Sequence, residues 1–244
     1  MRERQRRLAA ALPEPRPPRV ADLGCGVGQT LLALRDRFGP DVELIGVERR
    51  EPALDPALSG DANLVTAVAD LNKRLPFDDA SLGGAVCHNT LEALVSADAF
   101  LDEVARVLAP GGHFLLSHTD FDTIVFNASD LELTRRLVHA YADTQEEWMD
   151  SADATIGRKL VAIARRSTFE LLETLAWVEI DTEFAAGEAA DTAVKGIAGA
   201  VRRDSHHELA SRLEAWIDDQ RVRAAHGEFL FSVNDYAVLL RRPQ

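Results

Sequence analysis

The segment Val20-Ala21-Asp22-Leu23-Gly24-Cys25-Gly26-Val27-Gly28-Gln29-Thr30 constrains this chain more than any other. An apolar run ending in an acid leads into three glycines at alternate positions, then into Thr30-Leu31-Leu32-Ala33-Leu34. That order predicts a strand, a tight turn and a helix N-terminus. Glycine lets the turn adopt positive φ and lets a ligand come close to the backbone. The open N–H groups and positive dipole end of the helix favour an anionic group such as a carboxylate or phosphate. Such a construction suits a nucleotide-like cofactor.

Spacing discriminates among those cofactors. A dinucleotide fingerprint needs G-x-G-x-x-G, and its third glycine would fall on Gln29. The Gly-Lys-Ser/Thr ending of an ATP-binding loop is also absent. Asp22, immediately before the turn, can meet a cationic amine.

Asp22-Leu23-Gly24-Cys25-Gly26-Val27-Gly28 resembles the first motif of class I S-adenosylmethionine-dependent methyltransferases. The resemblance implies a turn that wraps the methionine end of the cofactor and a second-strand acid that binds both ribose hydroxyls. Leu44-Ile45-Gly46-Val47-Glu48 fits that strand, with Glu48 twenty residues after Gly28. A carboxylate can accept two hydrogen bonds from a vicinal diol. Val68-Ala69-Asp70-Leu71 resembles the adenine-reading station, and Leu108-Ala109-Pro110-Gly111-Gly112 resembles the turn before the fifth strand. The implied cofactor residues are Asp22, Gly24, Cys25, Gly26, Gly28, Thr30, Glu48, Arg49, Asp70, Leu71 and His88. The implied fold is α/β, a doubly wound, mostly parallel seven-stranded sheet with an antiparallel last strand. One domain over 1–244 is expected, with helical insertions at 120–166 and 186–227 forming a substrate lid.

Alternating strands and helices independently predict parallel βαβ units, with ligands at the carboxyl ends of the strands. Expected strands lie near 19–23, 42–47, 63–69, 82–88 and 113–118. A helix over about 96–109 starts at Ser96, with Phe100, Leu101, Val104, Val107 and Leu108 at helical spacing. Ser129-Asp130-Leu131-Glu132 and Ser167-Thr168-Phe169-Glu170 read as capping boxes, opening helices to about Thr144 and about 175. A helix at 154–165, a strand over Trp177 to Ala185, helices over 188–203 and 205–225 and a strand over Phe229 to Arg241 complete the expectation.

The 46% hydrophobic content supports a substantial core, and the net charge of −13 disfavours a nucleic-acid surface. Cys25 and Cys87 are too few for a disulfide framework and read as buried thiols. No secretory signal or membrane-length apolar run is evident, so a soluble, cytoplasmic protein without a membrane partner is expected. A homodimer is left open.

Methyl transfer from a sulfonium needs an aligned nucleophile, and a hydroxyl acceptor also benefits from a base. The candidates follow strands four and five: His88 and Asn89, then His118, Asp120 and Asp122. Phe121, Phe126, Tyr141 and Trp148 could wall a substrate, although core packing would account for some of them. Arg158 could anchor a loop or a substrate carboxylate. Adjacent His206 and His207 point about 100° apart on a helix and have no partner at ligand spacing, so no metal site is expected. The expected function is methyl transfer to nitrogen or oxygen of a small molecule, such as a bacterial specialised metabolite. The alternatives are a macromolecule as acceptor, or a protein of this fold that binds the cofactor without transferring methyl.

Overall fold

The computed structural model describes residues 3–203 and 207–244, with His207 described by its backbone alone. Seven strands form one sheet in the order β3-β2-β1-β4-β5-β7-β6. They are β1 Arg19–Leu23, β2 Glu43–Glu48, β3 Leu64–Val68, β4 Leu82–His88, β5 Leu108–Phe126, β6 Glu170–Asp181 and β7 Phe231–Arg241. β1 pairs in parallel with β2 and β4, β2 with β3, and β4 with β5; the last strand is antiparallel. This is the mostly parallel seven-stranded α/β sheet with an antiparallel last strand that the resemblance implied.

The chain divides into two compact units. The first comprises 1–118, 156–175 and 236–244; the second comprises 119–155 and 176–235. The expected insertion at 120–166 therefore falls partly in each.

In the first unit, β1 and β4 are buried along almost their whole length, as expected for strands covered on both faces. Its helices are α1 Glu3–Ala11, α2 Gln29–Phe38, α3 Ala97–Val107 and α5 Ile156–Arg166. Ser96 caps α3, its side chain accepting the Ala99 N–H at 3.2 Å. The helix then buries Phe100, Leu101, Val104 and Val107, each contributing about 1.5–3 kcal/mol of burial. Phe100 meets Phe114 of β5 edge-to-face at 6.0 Å.

The second unit holds α4 Leu131–Ala142, α6 Ala189–Arg203 and α7 His207–Ala225, with the far ends of β5 to β7. Its own core gathers Phe126, Leu137, Ile197, Leu213, Trp216 and Phe231. The Trp216 indole N–H donates to Thr134 Oγ1 at 2.9 Å, so this buried ring satisfies its polar end.

Three sequence expectations change. The helix expected from Ser167 is absent: Ser167 Oγ donates back to the Ala164 carbonyl and accepts the Phe169 N–H, closing a turn, and β6 begins at Glu170. Pairing at the sheet edge outweighs the local helix signal. The α4 cap is Asp130 rather than Ser129, because Ser129 donates from both its backbone and its hydroxyl to Asp219. β5 runs from Leu108 to Phe126 instead of 113–118; Leu82 pairs with Leu108 and Gly84 with His113, so 109–112 bulge out of register.

Candidate functional site

The glycine turn is built as its spacing demands. Gly24, Gly26 and Gly28 have φ of +83°, +52° and +84°. At Gly24 a Cβ would overlap the Thr90 side chain, so this glycine serves close packing inside the first unit. At Gly26 nothing lies within 4 Å of a Cβ position, so the same chemistry there leaves open space. Gly24 and Cys25 donate their N–H groups to the Val47 carbonyl at 2.9 and 3.0 Å, pinning the turn to β2. Gly28 is the N-cap of α2, and no side chain caps that helix, which leaves first-turn amides available to a ligand.

Glu48, at the end of β2, reaches the same turn. Its Oε2 accepts the Gly26 N–H at 3.1 Å and its Oε1 the Arg49 N–H at 2.8 Å. Arg49 Nη2 lies 3.5 Å from Asp70 Oδ1, joining the second and third stations. Asp70 also accepts the Asn72 N–H at 3.0 Å, and that bond leads the causes holding its carboxyl below the usual range. Leu71 is buried at the edge of a cleft of about 430 Å³ that Val95 and Phe100 also line.

Asp22 is 1% exposed, and its Oδ2 has no hydrogen-bond partner. Burial, with the Glu48 charge second, pushes its carboxyl up to about 7. A buried acid with an orphan oxygen beside an open turn is incomplete until it meets a cation or a donor. The Cys25 thiol is pushed up to about 12 by burial, then by Asp22 and Glu48, so it packs against Gly46 as a neutral group. Thr30 is buried in the first turn of α2.

At the end of β4 and the neighbouring stretch of β5 the first unit gathers a second polar group. His88 Nδ1 and Ser117 Oγ are 3.1 Å apart. Burial holds the His88 imidazole well below its ordinary value, with Arg4 and His118 adding repulsion. His118 is fully buried, its Nε2 3.7 Å from Glu92 Oε2. Asn89 takes φ of +51°, the left-handed geometry that asparagine tolerates better than most residues, and turns the chain out of β4.

Asp120 belongs to the second unit, where it is fully buried and its carbonyl accepts a bond from Thr123 Oγ1 at 2.7 Å. Asp122 lies 3.3 Å from His139 Nε2. The expected aromatic wall separates: Phe126 is core beside Trp216 at 5.2 Å, Phe121 meets Tyr141 at 5.5 Å, and Trp148 is exposed. Arg158 is exposed on α5. His206 and the His207 side chain lie outside the described residues.

Sequence reasoning missed Ser117, Glu92 and the α1 pair Arg4 and Gln5, which are buried although polar, and Thr90, which packs against Gly24. It also missed the clasp in which Asp55 holds Gln29 at 2.9 Å while its N–H donates to the Val27 carbonyl. Only contacts distant in sequence identify these residues, so no local signal marked them.

Residues 21–116, the stretch that holds all four stations, match the methyltransferase domain family. The chain therefore carries a methyltransferase domain over this stretch. The chain is 28% identical over 225 residues to an uncharacterized 37.1 kDa protein in a Streptomyces fradiae transposon, covering 89% of this chain and 61% of that protein. It is 31% identical over 101 residues to a demethylmenaquinone methyltransferase of Symbiobacterium thermophilum, covering 39% and 40% of the two chains. It thus spans less than two thirds of either relative. A solved S-adenosylmethionine dependent methyltransferase from Mesorhizobium loti shares the fold at TM-score 0.52 and 21% identity, over 97% of this chain and 96% of that one. Among the described residues no helix is long and apolar enough to cross a membrane.

Proposed function

We propose that this methyltransferase binds S-adenosylmethionine on the glycine turn and passes its methyl group to nitrogen or oxygen of a small molecule. The observation that carries this reading is the buried Asp22 with its unpartnered oxygen, set beside an open Gly26 turn that Glu48 already touches. Those residues fit the donor's chemistry. Asp22 would neutralise its amino group, the turn and the start of α2 would take its carboxylate, and Glu48 would accept from its ribose hydroxyls. Asp70 and Leu71 would face the adenine. When bound, the cofactor supplies an electrophilic methyl group on a sulfonium.

The residues of this chain then supply position and a path for a proton. His88 is neutral at neutral pH and keeps a lone pair, but its depressed basicity makes it a weak base. That suits an acceptor whose lone pair attacks before its proton leaves, such as an amine or an aromatic nitrogen, better than an aliphatic alcohol. Ser117 holds the imidazole at Nδ1 and thereby orients it. Glu92 and His118 form a buried pair that can take up charge as the proton departs.

Calorimetric titration with S-adenosylmethionine tests this directly. Wild type should bind, and Glu48→Ala should weaken binding at least about 150-fold, the loss expected for two hydrogen bonds to a charged acceptor at about 1.5 kcal/mol each. Equal affinity in the two proteins would end the assignment. Labelled cofactor incubated with a metabolite extract should then yield a labelled small molecule rather than labelled protein or RNA.

A further inference from the structure

The second unit contains a cleft of about 430 Å³ built from one face of β5 and one face of α4. From β5 come Asp122, Ile124 and Phe126, alternate residues that share a strand face, and from α4 come Leu131, Thr134, Arg135, Val138 and His139, which share a helix face. The floor is closed: Ile124, Phe126, Thr134 and Val138 are all buried. The rim is apolar yet wet, with Val125 52% and Leu131 53% exposed. A concave apolar site of this size with few polar groups has the build of a small-molecule pocket.

Its charge is more informative than its shape. Every other arginine of the second unit is spent on an acid: Arg136, Arg202, Arg203, Arg212, Arg221 and Arg223 each pair with a carboxylate. Arg135 makes no hydrogen bond or ion pair among the described residues, in a chain of net charge −13. The other two polar side chains at the rim of the cleft, His139 and Asp122, face each other, His139 Nε2 lying 3.3 Å from Asp122 Oδ1. Arg135 is therefore an uncompensated guanidinium beside an apolar trough, and its planar fork matches a carboxylate in a bidentate manner.

We infer that this cleft binds an amphiphilic carboxylate, its alkyl or aryl body lying against Ile124, Phe126 and Val138 and its head group paired with Arg135. The site stands whether or not the first unit transfers methyl groups. Whether the ligand is an acceptor or an effector is decided by testing the bound carboxylate for methylation.

Calorimetry on the full chain with hexanoate, octanoate, octanol and octyltrimethylammonium tests the inference, with S-adenosylmethionine titrated in parallel. Octanoate should bind at least tenfold tighter than octanol or the cationic analogue. Each added methylene from hexanoate to octanoate should tighten binding up to about fourfold, the value of a buried CH₂. Arg135→Gln, at an exposed position that the fold tolerates, should cut octanoate affinity at least tenfold and leave octanol and S-adenosylmethionine binding unchanged. Val138→Phe should reduce both octanoate and octanol by filling the floor. Four outcomes would overturn the site: no saturable octanoate binding, equal binding of octanol, preference for the cation, or an equal effect of Arg135→Gln on all ligands. Concentration-dependent dimers abolished by Leu131→Asp would also overturn it, by assigning the trough to a second copy of this chain.

Discussion

The two units treat buried polarity differently. The first sets it on neighbouring strands and leaves part of it unmet: Asp22 on β1, Ser117 and His118 within β5 and Glu92 just after β4 are all less than 9% exposed, and Asp22 Oδ2 has no hydrogen-bond partner among the described residues. The second also buries Thr119, Asp120, Thr134 and Asp235, but there Thr119 Oγ1 donates to Asp235 at 2.6 Å and Trp216 to Thr134, beside a core of Phe126, Trp216 and Phe231. Burying a polar group costs free energy unless it is satisfied, so such a group persists where a ligand or a reaction completes it. The difference separates a unit shaped for chemistry from one shaped chiefly by packing.

Gly24→Ala should break the first unit hardest. A methyl group at φ +83° is strained and overlaps Thr90, so S-adenosylmethionine binding should fall at least 100-fold and the melting temperature should drop. Gly26→Ala, in open space, should lose binding with a smaller thermal effect, as differential scanning fluorimetry with and without cofactor would show. If both variants behave alike, the turn does not divide packing from binding.

Asp22→Asn comes next. The folded-state carboxyl lies at about 7 against an ordinary 3.8, so the folded state holds its proton while the unfolded chain has lost it. Stability of the cofactor-free protein should therefore fall as pH rises from about 4 to about 7 and level off above. The variant should lack that fall and be more stable than wild type at pH 8, by at most about 4 kcal/mol. It should also bind the cofactor more weakly. Parallel denaturant curves across pH would expose the error if the wild-type slope has the opposite sign.

In the second unit Gln220 departs from this pattern of buried polar groups that are met. Gln220 is fully buried on α7 and neither amide atom has a hydrogen-bond partner. Gln220→Leu should stabilise the protein by about 1–3 kcal/mol, the cost of an unsatisfied buried amide, without changing cofactor affinity. A destabilised variant would show that the amide is satisfied in solution.

The smallest effects compare like with like. Ser96 caps α3 in the first unit and Asp130 caps α4 in the second, at 3.2 and 2.9 Å. Alanine at either should cost about 1 kcal/mol. Urea unfolding of both variants would test whether local helix chemistry is worth the same in the two units.

Local features made most of the first unit legible. The alternate glycines, the acids at the ends of β1 and β2, and the Ser96 cap are demands of the backbone within a few residues, so a linear chain displays them. The second unit was legible in its helices, whose apolar spacing is local, but not in its caps and edges. Ser129 resembles a cap but serves Asp219, ninety residues away. Ser167 resembles a cap but closes the turn into β6. In both cases a distant partner outweighed a local preference worth about a kilocalorie.

By itself the sequence determined the parallel α/β order and the turn on β1, because hydrophobic period and glycine geometry act over short range, while the place of Glu48 came from the resemblance of its strand to a family motif. Tertiary structure alone decided that Asp22 Oδ2 has no hydrogen-bond partner among the described residues, that burial, and then Arg4, depress His88, and that Arg135 lines an apolar trough without an ion pair among the described residues. Solvation and charge pairing depend on what surrounds a side chain in space, and residues far along the chain supply those surroundings.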